Sequence, residues 1–257
     1  MDYLRQLGIL DPSTIGRKAI TIIGAGATGS HIALYLAQLG WGDTAKNQGI
    51  LRVYDFDKVE EHNLPNQAYE YAHIGQQKVE ALQDLIYRKC GFKIEIHNEK
   101  VTDQLRNVNS TYVFLLTDTM SSRKEIFEKC LKYQFDLDLI VETRMGIRAG
   151  RIYAFNPNDP DEAKSWQETL YDDNVAEASR CGASASLITT VTYLSSVAAG
   201  RIVQHFNSKY AEKNPLGDNA GQLWHEVHFS LYPEELFFRR FNGTPCMIQM
   251  HDGLVPA

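Results

Sequence analysis

Apolar residues in the first half of the chain fall into short runs that alternate with amphipathic stretches. The run Lys18–Gly24 is β-branched and almost wholly apolar, which predicts a parallel strand buried on both faces. Ser30–Leu39 follows as a predicted helix that ends at Gly40. The segment Ile50–Tyr54 has the pattern of a second buried strand. This order, strand then helix then strand, is typical of an α/β fold.

The same alternation continues to residue 142. Two more helices and three more strands are predicted, namely helices Gly75–Arg88 and Arg123–Tyr133 and strands Lys93–His97, Thr111–Thr117 and Leu137–Glu142. Strands that alternate with helices favour right-handed crossovers on both faces of one sheet. We therefore predict a doubly wound, Rossmann-like and mainly parallel sheet.

The pattern changes after residue 150. Ile152–Phe155 predicts a strand, residues 156–179 an acidic polar connection, and Ala183–Phe206 a long helix. Residues 224–231 and 235–240 alternate like a strand and its hairpin partner, which predicts an antiparallel C-terminal extension. Because no linker separates the halves, we expect one domain over residues 1–257, with a nucleotide-binding half of about 1–150 and a second half of about 151–257.

Composition and charge exclude several classes of function. The 257 residues carry a formal net charge of −6 and no block of Lys or Arg, so nucleic acid is not an expected partner. A signal peptide and a membrane-spanning run are both missing from the pattern, and the cysteines lie far apart, namely Cys90, Cys130, Cys181 and Cys246. We expect reduced thiols, no membrane partner and a cytoplasmic location.

A glycine-rich turn, Gly24-Ala-Gly26-Ala-Thr-Gly29, joins the first strand to the first helix. Glycines in this context allow the backbone to approach a phosphate at the amino end of the helix. Asp55 ends the second strand, where its carboxylate can accept hydrogen bonds from ribose hydroxyls. The connection before Asp55 is longer than in a plain dinucleotide fingerprint, but this difference does not exclude NAD. An NAD-dependent oxidoreductase therefore remains one alternative.

Five ordered motifs point to another nucleotide. They are the glycine-rich turn, Asp55-Phe-Asp57, Asn63-Leu-Pro-Asn66-Gln67, Gly75-Gln-Gln-Lys78-Val, and Thr117-Asp118 with Arg123 after it, and Arg5-Gln6 precedes the first strand. In this order they resemble the ThiF/MoeB family of ubiquitin-activating-enzyme-like adenylyltransferases. The resemblance covers about residues 5 to 250.

The resemblance implies ATP-dependent adenylation of the C-terminal carboxylate of a ubiquitin-like or sulfur-carrier protein, which usually ends in glycine. It implies catalytic roles for Lys78 on the phosphates and for Asp118 on Mg²⁺ near the α-phosphate. Asp55 would bind ribose beside Asp57, and the second half of the chain would bind the carrier. The remaining implied contacts to ATP are from Asn63, Asn66 and Gln67 to the phosphates and from Arg5 to the γ-phosphate.

The chain departs from the family pattern at Asn66, where relatives have an arginine. An amide has no charge and no bidentate fork. Either another cation replaces the arginine, with Arg17, Arg144 and Arg148 as candidates, or turnover is slowed or lost. A non-catalytic partner that binds nucleotide or a ubiquitin-like tail is therefore the main alternative function. Relatives bind zinc through two C-x-x-C pairs; here residues 156–179 have no cysteine, and Gln249 stands where the mate of Cys246 would be, so no zinc site is expected.

Cys181 directly follows Arg180 and precedes the long helix, where relatives often have a reactive cysteine. A neighbouring cation and a helix amino end both favour thiolate. Cys181 could therefore take the acyl group from the adenylate as a thioester, or carry sulfur, or only pack at the helix entry.

Compact relatives pair through helices beside the nucleotide site, so the resemblance also implies a homodimer. Aromatic residues are common anchors of protein interfaces. We expect Tyr69, Tyr71 and Trp41 to supply such anchors.

Overall fold

The computed structural model describes residues 18–101, 109–174, 187–210, 224–231, 234–241 and 246–248. Within these residues, the strands are β1 (Ala19–Ile23), β2 (Ile50–Tyr54), β3 (Glu95–His97), β4 (Tyr112–Leu115), β5 (Leu139–Met145), β6 (Ala149–Phe155), β7 (Glu226–Leu231), β8 (Glu234–Arg239) and β9 (Cys246–Ile248). The α-helices are α1 (Ala27–Gln38), α2 (Lys78–Cys90), α3 (Met120–Ile126), α4 (Pro160–Glu168) and α5 (Ile188–Tyr210).

All nine strands form one sheet, in the order β3-β2-β1-β4-β5-β6-β7-β8-β9. The pairs from β3 to β5 are parallel, and the pairs from β5 to β9 are antiparallel. This confirms the predicted doubly wound sheet with an antiparallel C-terminal extension. Strand order reverses about β1, between β2 and β4, which is where α/β folds of this kind bind ligands.

The core lies on both faces of the sheet, because every residue of β1 and β4 is buried. Helices α1, α2 and α5 pack on one face, and α3 and α4 pack on the other. Trp41 is fully buried on the first face, between the rings of Tyr112 and Phe206. The prediction that Trp41 anchors a subunit interface is therefore wrong, since the indole has no exposed surface to offer.

Several predicted boundaries are wrong. Helix α1 begins at Ala27 rather than Ser30, so its first turn is part of the glycine loop. The predicted polar connection contains α4, which Asp159 caps through its side chain and Pro160 begins. Part of the predicted helix Ala183–Phe206 lies outside the described residues, and its described part extends to Tyr210. Among the described helices, none is long and apolar enough to span a membrane.

Candidate functional site

The glycine loop packs its own backbone too closely for side chains. Gly24 has a φ of 103°, and a Cβ there would lie 2.6 Å from the carbonyl oxygen of Leu116. A Cβ on Gly29 would lie 1.9 Å from the carbonyl oxygen of Gly24. These two glycines hold the start of α1 against the ends of β1 and β4. Gly26 differs, because the space where its Cβ would stand has no atom within 4 Å.

The amino end of α1 is open to an anion. Its N-cap is Gly26, no side chain caps the helix, and no acidic residue occupies the first turn. The free N–H groups of a first turn carry partial positive charge. A phosphate is therefore the kind of group that this end of the helix stabilises.

Asp55 is 9% exposed and is hydrogen-bonded through both carboxylate oxygens. Its Oδ2 accepts from the Ala25 amide at 2.6 Å, and its Oδ1 accepts from the Asp57 amide at 2.8 Å. Burial raises the pKa of Asp55, although Lys78 and these amides oppose the shift. Each oxygen retains a lone pair for a further hydrogen bond, as a ribose contact requires.

Lys78 begins α2, and its ammonium lies 2.9 Å from Oδ2 of Asp57. The lysine side chain is 9% exposed, whereas that of Asp57 is 48% exposed. The Lys78 amide also donates to the carbonyl oxygen of Asp57 at 2.9 Å. The loop after β2 therefore fixes the position of Lys78, and places its charge next to the carboxylates of Asp55 and Asp57.

The segment 63–69 connects these parts. Asn63 is buried, and its Oδ1 accepts from the Glu60 amide at 2.9 Å, which leaves its amide hydrogens for other acceptors. Asn66 is also buried, and Oε1 of Gln67 is a buried atom without a hydrogen-bond partner in the described structure. The contacts of Ala68 with Ser30 and of Tyr69 with Ala25 tie this segment to the glycine loop and α1, and the contacts of the three amides with phosphate stay a prediction.

Tyr69 is 5% exposed, and its hydroxyl donates to the carbonyl oxygen of Ala25 at 2.7 Å. The prediction that Tyr69 anchors a subunit interface is wrong, because its ring lies inside the molecule against the glycine loop. Tyr71 is 77% exposed, and its proposed interface role stays a prediction. Nothing in the sequence motif marked Tyr69 as a loop contact.

Asp118 follows β4 in an exposed bend and makes no hydrogen bond or ion pair to any described residue. The preceding Thr117 is held firmly: its carbonyl oxygen accepts from Nε of Arg123 at 2.8 Å. Its hydroxyl accepts from Ser122 at 2.8 Å. The backbone beneath Asp118 is therefore fixed while its carboxylate is available.

A buried ion-pair network supports this bend. The Glu142 carboxylate on β5 has no exposed surface, and it accepts from Arg123, from Arg144 at 2.9 Å and from the Trp166 indole at 3.0 Å. Burial by itself raises the pKa of Glu142, but the two arginines outweigh it and hold the pKa below its ordinary value. The signal for this network was an acid that ends an apolar strand, two residues before an arginine on the same face.

The network excludes one of the three arginines that could replace the family arginine. Arg144 is a wrong candidate, because its guanidinium is committed to Glu142 and to the carbonyl oxygen of Thr169 at 2.7 Å. Arg148 is exposed in the turn between β5 and β6. Arg17, like Arg5 and Cys181, lies outside the described residues.

Among the described residues, the carboxylates of Asp55 and Asp57 follow β2, that of Asp118 follows β4, and the ammonium of Lys78 pairs with Asp57. In the described part of the chain, no group of three His, Cys, Asp or Glu side chains could hold a metal alone. Mg²⁺ commonly binds one or two carboxylates and completes its shell with substrate phosphates and water. The free carboxylate of Asp118 fits that manner of binding.

The ThiF family model matches residues 3–230. The chain belongs to the ThiF family. Its curated relatives include ubiquitin-like modifier-activating enzyme 5 of Caenorhabditis briggsae, 35% identical over 101 residues, which are 38% of this chain and 22% of the relative. Adenylyltransferase and sulfurtransferase MOCS3 of the same organism is 32% identical over 113 residues, 42% of this chain and 24% of the relative. This ThiF-family chain thus spans about a quarter of these relatives.

Solved structures agree with the fold. The chain is similar to PaaA, with a TM-score of 0.65 at 16% identity, over 90% of this chain and 66% of that one. It is also similar to E. coli MccB with ATP, with a TM-score of 0.63 at 13% identity, over 90% of this chain and 65% of that one. At these identities the likeness shows a shared fold.

Proposed function

We propose that this ThiF-family chain uses ATP to adenylate the C-terminal carboxylate of a ubiquitin-like or sulfur-carrier protein. The observation that carries the proposal is that the open glycine loop, the buried Asp55 and the free Asp118 follow β1, β2 and β4, with Lys78 paired to Asp57 beside them. The names of MOCS3 and of ubiquitin-like modifier-activating enzyme 5 support the same reaction. Adenylation is favoured over hydride transfer, because hydride transfer would give Lys78 and Asp118 no role.

In this reaction a carboxylate oxygen of the carrier attacks the α-phosphorus of ATP. The bond from that phosphorus to the β-phosphate oxygen breaks, and pyrophosphate leaves with the electron pair. Two anions must approach each other, so the site has to offset negative charge. Asp55 orients the ribose, the open amides of α1 bind phosphate, and Lys78 neutralises charge on the phosphates. Asn63, Asn66 and Gln67 orient the phosphates by hydrogen bonds.

Asp118 would hold Mg²⁺ near the α-phosphate. When bound, Mg²⁺ would supply positive charge to the phosphate oxygens. Arg5 would contact the γ-phosphate, and Cys181 would receive the acyl group as a thioester once the adenylate has formed. The carrier would bind to the second half of the chain, about residues 151–257, and the active form would be a homodimer in the cytoplasm.

The test is ATP–pyrophosphate exchange in the presence of a carrier that ends in glycine. Lys78→Ala and Asp118→Ala are each expected to slow exchange by about 10²- to 10³-fold, the scale of a lost contact to developing charge. The matched controls are Lys58→Ala and Asp136→Ala, which remove exposed charges of the same kind and are expected to exchange at the parental rate. Parental exchange in Asp118→Ala would remove that residue from the site.

A second candidate is a partner that binds nucleotide without turning it over. Asn66 favours it, because the amide lacks the charge of the family arginine, and both Arg123 and Arg144 are committed to Glu142. The same assay separates the two functions. A non-catalytic partner would bind ATP but exchange no label into it, with or without the carrier.

A further inference from the structure

Among the described residues, the Tyr69 hydroxyl is the side-chain group that donates to the carbonyl oxygen of Ala25, in the middle of the glycine loop. Burial raises the pKa of Tyr69 well above its ordinary value, and the nearby carboxylates of Asp55 and Asp57 act in the same direction. The hydroxyl therefore keeps its proton and stays a hydrogen-bond donor through the working pH range.

Ala25 is held from two sides. Its amide donates to Asp55 at 2.6 Å, and its carbonyl oxygen accepts from Tyr69 at 2.7 Å. A trans peptide unit is planar, so the carbonyl of Ala25 and the amide N–H of Gly26 point in opposite directions. By fixing that carbonyl, Tyr69 also fixes the direction of the Gly26 amide.

The Gly26 amide is free to meet a ligand. It donates no hydrogen bond to the described residues, and the space beside Gly26 is open. Gly26 is also the N-cap of α1, where no side chain caps the helix. A second contact ties the segment that carries Tyr69 to the first turn of α1, because Oγ of Ser30 accepts from the Ala68 amide at 3.0 Å.

We propose that Tyr69 is a positioning residue whose hydroxyl aims the Gly26 amide at a phosphate of bound ATP. The proposal rests on the proposed function, since it needs a nucleotide in this loop. It assigns Tyr69 to the phosphates and not to the base or the ribose. The Ala25 amide that donates to Asp55 belongs to the preceding peptide unit, and the Asp57 amide holds the other carboxylate oxygen of Asp55.

The experiment compares the full chain with Tyr69→Phe, which removes only the hydroxyl. Tyr71→Phe is the matched control, since it removes a hydroxyl two residues away from a side chain that is 77% exposed. Calorimetry measures the affinity of each protein for ATP and for adenosine, which lacks phosphates. Amide hydrogen exchange at Ala25 reports the order of the loop, and exchange across β5 reports the rest of the fold.

Tyr69→Phe is expected to bind ATP about three- to tenfold more weakly, as one lost hydrogen bond allows, with unchanged affinity for adenosine. Ala25 should exchange faster while β5 exchanges at the parental rate. Ser30→Ala, which cuts the second tie, should shift ATP affinity in the same direction. Tyr71→Phe should match the parent in every measurement.

Equal ATP affinity in the parent and in Tyr69→Phe would overturn this inference alone. An equal loss of ATP and adenosine affinity would overturn it too, because a general structural role would weaken both ligands. Failure of the parent to bind ATP would overturn the proposed function, and this inference with it.

Discussion

Among the described residues, Glu142 is the charged group whose removal is expected to cost the fold the most stability. In Glu142→Gln the side chain keeps its shape, but two buried arginines lose the charge that compensates them. Arg123 and Arg144 are 6% and 8% exposed, so water cannot replace the lost carboxylate. Breaking a buried ion pair by removal of one partner costs about 3–5 kcal/mol of unfolding free energy. We expect a loss in that range.

Equilibrium unfolding in urea measures this loss as a lower midpoint at an unchanged slope. Glu125→Gln is the control, because it removes an acid of the exposed Glu125–Lys129 pair and is expected to leave the midpoint unchanged. The pH dependence gives a second readout. Since the folded pKa of Glu142 lies below its ordinary value of 4.5, its stabilisation is present above about pH 4.5 and is lost as pH falls through the folded pKa.

Glu142→Gln should therefore lack this part of the acid destabilisation that the parent shows. A variant that unfolds at the parental midpoint, or whose stability falls in acid as steeply as that of the parent, would refute this role of Glu142. Either result would mean that the arginines find other partners, and that the Thr117 carbonyl does not depend on the network for its position.

Three further predictions concern the loop, the ribose contact and the thiol. Gly29→Ala should lower the unfolding midpoint and abolish ATP binding, because its Cβ would lie 1.9 Å from the carbonyl oxygen of Gly24, while Gly26→Ala, with open space, should unfold like the parent in urea. Since burial raises the pKa of Asp55 above its ordinary value of 3.8, ATP affinity measured by calorimetry should fall as the pH is lowered through that raised pKa. Asp55→Asn should remove this pH dependence, and a parental pH profile in the variant would contradict the ribose contact. Cys181→Ala should retain pyrophosphate exchange but lose any thiol-sensitive conjugate with the carrier, and a conjugate that survives would move the thioester elsewhere.

The parallel half of the sheet could be predicted because buried strands have a local signature. β2 begins and ends at the predicted residues, since an apolar run with Asp55 directly after it leaves little choice. The helix α4 was missed because its sequence is acidic and polar. The residues that indicate this helix are the N-cap Asp159 and Pro160 at its first position. A search for apolar residues at helical spacing does not detect them.

The site was predictable where a motif carries the chemistry, as for Lys78 and Asp118, and not where a contact joins distant parts of the chain. Tyr69 reaches Ala25 across 44 positions, and no local pattern shows that its hydroxyl is needed there. The candidate cation Arg144 failed for a related reason. Its partner Glu142 lies on the same strand face, but their burial depends on α4, which the sequence did not reveal.

The most direct test of adenylation follows one oxygen atom of the carrier's C-terminal carboxylate. A carrier that ends in glycine is labelled with oxygen-18 in its C-terminal carboxylate, and is incubated with the chain, ATP and a thiol acceptor. If the carboxylate attacks the α-phosphorus, transfer of the acyl group breaks the bond from its carbon to that oxygen, and mass spectrometry finds one oxygen-18 in AMP. Unlabelled AMP, or label in inorganic phosphate alone, would contradict adenylation of the carrier.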